Sequence, residues 1–81
     1  MSTLAIKIQP QAYNVICSDI SLNVELVDGR TISVPLIWFP TLSNATREQL
    51  KNWELLGHGE GIHWPELDED ISVAGLLAGA H

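Results

Sequence analysis

The feature that most constrains this fold is strict alternation on both sides of one turn. Ile20, Leu22, Val24 and Leu26 share one side of an extended chain, with Ser21, Asn23 and Glu25 on the other. After Asp28-Gly29 the period resumes: Ile32, Val34 and Leu36 are apolar, with Thr31, Ser33 and Pro35 opposite. A period of two with one apolar side is the pattern of a half-buried antiparallel hairpin, here over 20–36.

Parity fixes the register. A two-residue turn at Asp28-Gly29 would pair Glu25 with Ile32 and set a charge against the apolar face. A three-residue loop pairs Leu26 with Arg30, Val24 with Ile32 and Leu22 with Val34. It also puts Gly29 at the left-handed position such loops need, so this loop, with a bulge, is expected. Pro35 has no N–H and lies on the polar side, so that end of the strand should border solvent.

The remaining segments supply shorter elements. Leu4, Ile6 and Ile8 alternate up to Pro10, as an edge strand or loose arm over 1–10, and 13–18 is a second short strand. Trp38-Phe39-Pro40 ends the hairpin. Thr46-Arg47-Glu48-Gln49 has the form of a capping box. Leu50, Trp53 and Leu55 or Leu56 then make an apolar stripe, and Gly57 is a natural C-cap. This predicts a helix at about 47–56, too short to persist alone, so it must dock on the sheet. Ile62-His63-Trp64 reads as a strand stopped by Pro65, and Ser72 caps a last turn over 73–78, ended by Gly79. The fold class is α+β: a small antiparallel sheet, made of the hairpin plus one or two further strands, packed on one short helix and a C-terminal helical turn. At 81 residues this is one domain, 1–81, with a core at about 12–79.

Charge and composition remove several functions. Lys7, Arg30, Arg47 and Lys51 are the only strong bases against ten Asp and Glu, a net charge of −6. Counterion release needs several bases on one face, so nucleic-acid binding by this chain alone is not expected. An acidic surface suits a basic protein partner instead. Cys17 is the lone cysteine, which excludes an intrachain disulfide and a cysteine metal cage; it reads as a small core residue. The N-terminus has no basic segment leading into an apolar run, and the longest apolar run, 71–80, is half a membrane span. A soluble, cytoplasmic protein is expected.

The chemistry of a catalyst is missing too. There is no HExxH, CxxC, nucleophile elbow or phosphate loop, so neither an enzyme nor a cofactor is expected. His58, Glu60 and His63 with Glu66, Asp68, Glu69 and Asp70 form the one cluster resembling a metal site. Asp68 and Asp70 would share a face if extended, but the histidine spacing suits neither a turn nor a helix face. Acids ahead of a helix N-terminus explain the same run without metal. Metal binding by His63 and the 66–70 acids is therefore the lesser alternative.

The three tryptophans exceed what so small a core fully covers. Trp53 is assigned to the core, while Trp38 and Trp64 stay open between core and interface. The partner-binding candidates are Trp38, Phe39 and Trp64 as apolar anchors, with Glu60, His63, Glu66, Asp68, Glu69 and Asp70 as the polar set.

The string Trp38-Phe39-Pro40, Ala45-Thr46, Glu48-Gln49-Leu50, Asn52-Trp53-Glu54, Gly61-Ile62-His63-Trp64-Pro65, Leu67-Asp68-Glu69-Asp70-Ile71-Ser72 and Gly75-Leu76-Leu77 resembles the prokaryotic family called domain of unknown function 2442. The likeness runs from about residue 13 to 79. It implies a small α+β domain. Some members carry a helix-turn-helix after it, and others stand as single domains beside a gene for a small ribonuclease-like toxin. The family's acidic residue after the Ser72 cap is Gly75 here, which weakens the last helix. No helix-turn-helix follows, so a DNA-binding role of longer members does not transfer. The resemblance implies an interaction module, the acidic antitoxin-like partner of a basic ribonuclease-type toxin. The alternative is a self-associating homodimer with no toxin partner.

Overall fold

The computed structural model describes residues 10–79. The strand or arm expected over 1–10 therefore lies, but for Pro10, outside the described residues. The α+β class holds, built among the described residues as two three-stranded antiparallel sheets and three short helices.

The first sheet contains the hairpin. Its strands are β1 (Ala12–Cys17), β2 (Ser21–Leu26) and β3 (Thr31–Pro35), in the order β1-β2-β3. Leu22 opposes Val34 and Val24 opposes Ile32, the register that parity requires. The Leu26 N–H donates to Arg30 O at 2.8 Å, and Gly29 sits at φ 96°. Any other residue at that φ would be strained, which is why the loop has glycine there. β1 pairs with β2 through a bulge between Ala12 and Asn14. One face of this sheet buries Leu22, Val24, Leu26, Val15 and Val34. Ile20 departs from the pattern: it precedes β2 and is 79% exposed.

A 3-10 turn (Leu36–Trp38) and α1 (Pro40–Ser43) lead to α2 (Arg47–Lys51). The capping box forms in full, with the Gln49 N–H donating to Thr46 Oγ1 at 3.1 Å and the Thr46 N–H to Gln49 Oε1 at 3.0 Å. The helix expected over 47–56 ends early, however. Asn52 leaves helical geometry at ψ 70°, and Glu54–Leu56 is a strand, β4. The reason is a competing donor. In a continued helix the Leu50 carbonyl would accept from the N–H of Glu54; instead it accepts from the Trp64 indole N–H at 3.1 Å. Glu54 to Leu56 pairs with a neighbouring strand. Gly57 accordingly belongs to a hairpin loop rather than a helix cap.

The second sheet is β4, β5 (Gly61–Trp64) and β6 (Glu69–Ser72), in the order β4-β5-β6. α3 (Val73–Leu77) follows at once, capped by Ser72, whose hydroxyl accepts from the Gly75 N–H at 3.1 Å. Both sheets feed one core cluster, in which Leu22 and Val24 join Ile62, Trp64, Val73 and Leu42. The sheets also meet through backbone. The Ala12 N–H donates to Gly59 O at 2.8 Å, and a Cβ on Gly59 (φ 97°) would lie 2.3 Å from Ala12 O. Only glycine permits that approach.

Candidate interaction surface

In a strand, alternate residues face opposite ways, so the pairing register assigns each side chain to a face. In the second sheet Ile62, Trp64 and Ile71 are buried and define the inner face. Glu54 opposes His63, and His63 opposes Asp70, so these three form one row across the outer face. Leu56, Gly61 and Ser72 make the next row, with Leu56 exposed.

His63 is the centre of this row. Its Nδ1–H donates to the Asp70 carboxylate. That bond raises the imidazole pKa above its ordinary value, and the negative charges of Asp70, Glu54 and Asp68 act in the same direction. Asp68 lies in the turn before β6 at φ 51°, a left-handed position that aspartate tolerates better than most residues. It is therefore not on an extended face with Asp70, contrary to the sequence expectation. The result is an exposed carboxylate cluster around a histidine whose protonated form it favours.

The other sequence candidates separate into core, loop and surface. Trp64 is fully buried and Phe39 is 7% exposed, which corrects their assignment as interface anchors. Trp64 is the largest fully buried side chain, and its indole N–H is satisfied by Leu50 O, so nothing polar drives it to the surface. Trp38 is 38% exposed and stays on the surface. Glu60 organises a loop: its Oε1 accepts from the His58 N–H at 2.7 Å, and this bond, aided by Gln11, holds its carboxyl below the ordinary value. Glu66 is exposed, while Glu69 opposes Trp64 at the margin of the inner face. Among the described residues no group of three or more His, Cys, Asp or Glu is arranged to hold a metal. The lesser alternative of a site at His63 and the 66–70 acids thus has no ligand geometry behind it.

Sequence reasoning missed Glu54 and Leu56, because it placed both on a helix. The available signal was the spacing of Glu54-Leu55-Leu56 and Gly61-Ile62-His63-Trp64 about a glycine-containing loop, a hairpin pattern.

An α+β domain of paired three-stranded sheets, with an acidic outer face on the smaller one, is what this chain builds. It belongs to the family described as "Protein of unknown function (DUF2442)", which it matches over residues 13–81. Its fold is similar to that of a crystallised protein of unknown function from Rhodospirillum rubrum, at 36% identity and TM-score 0.76 over 90% of each chain. It is also similar to the solution structure of an uncharacterized protein from Chromobacterium violaceum, at 27% identity and TM-score 0.72. That match covers 85% of this chain and 65% of the other. No curated protein matches the sequence. Among the described residues no helix is long and apolar enough to cross a membrane.

Proposed function

We propose that this chain is a non-catalytic protein-interaction module of the cytoplasm whose docking surface is the outer face of the second sheet. The observation that carries this reading is the Glu54–His63–Asp70 row with Asp68 beside it, next to exposed Leu56. Carboxylates gathered on one face attract a basic surface and steer its approach, while an adjacent apolar side chain gives the contact something to bury. The chain's net charge of −6 supplies the long-range part of the same field.

The finer reading is an acidic antitoxin-like role, with the partner a basic ribonuclease-type protein. A partner that binds RNA presents a basic groove, and an exposed acidic face is chemically suited to occupy it. Co-expression with the product of the adjacent open reading frame, followed by affinity capture, tests it. A stable complex that dissociates as salt is raised supports the proposal. Two proteins that purify apart at low ionic strength defeat it.

A further inference from the structure

A second surface of the molecule has a different character. A cleft of about 340 Å³ opens between β1 and α2, lined along one wall by every residue from Asn14 to Asp19. Its floor is apolar, from buried Val15 and Leu36 and half-buried Cys17, Leu50 and Trp53. Two of the chain's four Lys and Arg, Arg47 and Lys51, lie on it against a single acid, Asp19. In a chain of net charge −6 this is a local reversal of sign. One Arg47 nitrogen meets Asp19 Oδ1 at 2.9 Å, and both side chains are largely exposed, so this pair is weak and replaceable.

Among the described residues the wall is also an open strand edge. β1 is the outer strand of its sheet. The Ser18 N–H donates to Ser21 O at 2.9 Å, so by parity Ser18, Ile16 and Asn14 aim their backbone groups at β2. Val15 and Cys17 therefore aim theirs outward. Among the described residues nothing bonds these outward groups. The rest of the edge is closed: Gly59 O takes the Ala12 N–H, and the bulge follows at once. What remains is a short window with two rungs, about 7 Å apart, beside an apolar floor and a basic rim.

We propose that this window receives an extended peptide segment of alternating acidic and apolar residues, which adds to β1 as a fourth strand. Backbone rungs at Val15 and Cys17 would read the peptide main chain, the Leu36–Leu50–Trp53 floor its apolar side chains, and Arg47 and Lys51 its carboxylates. A small amphipathic carboxylate would satisfy the floor and rim but leave the rungs unused, which is why a peptide fits better. This surface is separate from the acidic face of the second sheet and takes a ligand of opposite charge.

The test titrates 15N-labelled full-length protein with an acetylated, amidated heptapeptide alternating valine and glutamate. The same peptide with lysine for glutamate, the same peptide N-methylated at alternate amides, and octanoate serve as comparisons. The acidic peptide should shift the Val15 and Cys17 amides, and charge reversal by Arg47→Glu with Lys51→Glu, both on exposed side chains, should weaken it about tenfold. N-methylation on the register that bonds the rungs should weaken it at least about fivefold, a change that touches the ligand alone and not the protein's folding. Four outcomes overturn the proposal: no shift with any probe, equal binding of the lysine peptide, octanoate binding as well as the peptide, or a dimer by light scattering that the charge reversals dissociate. The last would make a second copy the occupant.

Discussion

The two sheets treat their outer faces in opposite ways. On the first, polar side chains bond one another: Asn14 donates to Glu25 at 2.8 Å, Ser33 to Asn23 at 2.6 Å, and Asn23 to Ser21 at 3.0 Å. The one charge in that ladder, Glu25, is held by a neutral amide. On the second sheet a comparable row carries Glu54, His63 and Asp70, with Asp68 near, and negative charge is left in excess. A polar face that satisfies itself is finished. A face with surplus charge of one sign is suited to something that brings the other, which is why the proposed docking surface is there.

The inner faces differ as well, and this is where the largest effects are expected. The first sheet buries aliphatic side chains alone, whereas the second adds one large aromatic, Trp64, to Ile62 and Ile71. Replacing Trp64 with alanine removes that volume and frees Leu50 O; a loss of about 3–5 kcal/mol in urea denaturation is expected, enough to unfold a small domain. Gly59→Ala attacks the junction between the sheets. With left-handed backbone and a Cβ 2.3 Å from Ala12 O, it should cost about 2–4 kcal/mol by the same assay. Thr46→Ala removes the cap of α2 alone and should cost about 1 kcal/mol, the test of whether that helix matters to the sheets.

These contrasts also explain what the sequence made legible. The hairpin of the first sheet was readable to the residue pair, because a long alternation and one turn glycine leave a single register that keeps Glu25 off the apolar face. The second sheet was not. Its strands β4 and β5 run three and four residues, too short for a period to declare itself. Leu50, Trp53 and Leu56 fit a helical stripe equally well, and tertiary partners, the Trp64 indole donated from 14 residues away and the pairing of Glu54–Leu56 with β5, accompany the end of the helix at Lys51. The exposure of Trp38 against the burial of Trp64 was undecidable for the same reason: each Trp precedes a proline by one or two residues, and tertiary pairing alone separates them. Of the candidate site, His63 and Asp70 were named from sequence, but Glu54 waited on the strand register. The cleft along β1 waited on the placement of α2.

The smallest effects sharpen the electrostatic half of the comparison. His63 has a folded pKa raised above 6.5 by Asp70, so the pair's stabilisation is complete below that value and fades as pH rises through the folded one. Wild type should lose stability to urea between about pH 5.5 and about pH 8.5, and Asp70→Asn should flatten that difference. No such dependence should attach to the first sheet's face. Cys17, under the open edge of β1, has its thiol pushed by burial from 9.0 up to about 11. Its alkylation at about pH 8 should run roughly 100-fold slower than that of an ordinary exposed cysteine.

The most direct test of the docking surface compares charge reversals on the two sheets. Each protein is co-expressed with the product of the adjacent open reading frame, and the captured partner is quantified. Wild type and Glu25→Lys, on the first sheet's outer face, should retain it, while Glu54→Lys with Asp70→Lys should lose it. Equal capture by all three, or loss with Glu25→Lys alone, would contradict the assignment of the second sheet as the binding face.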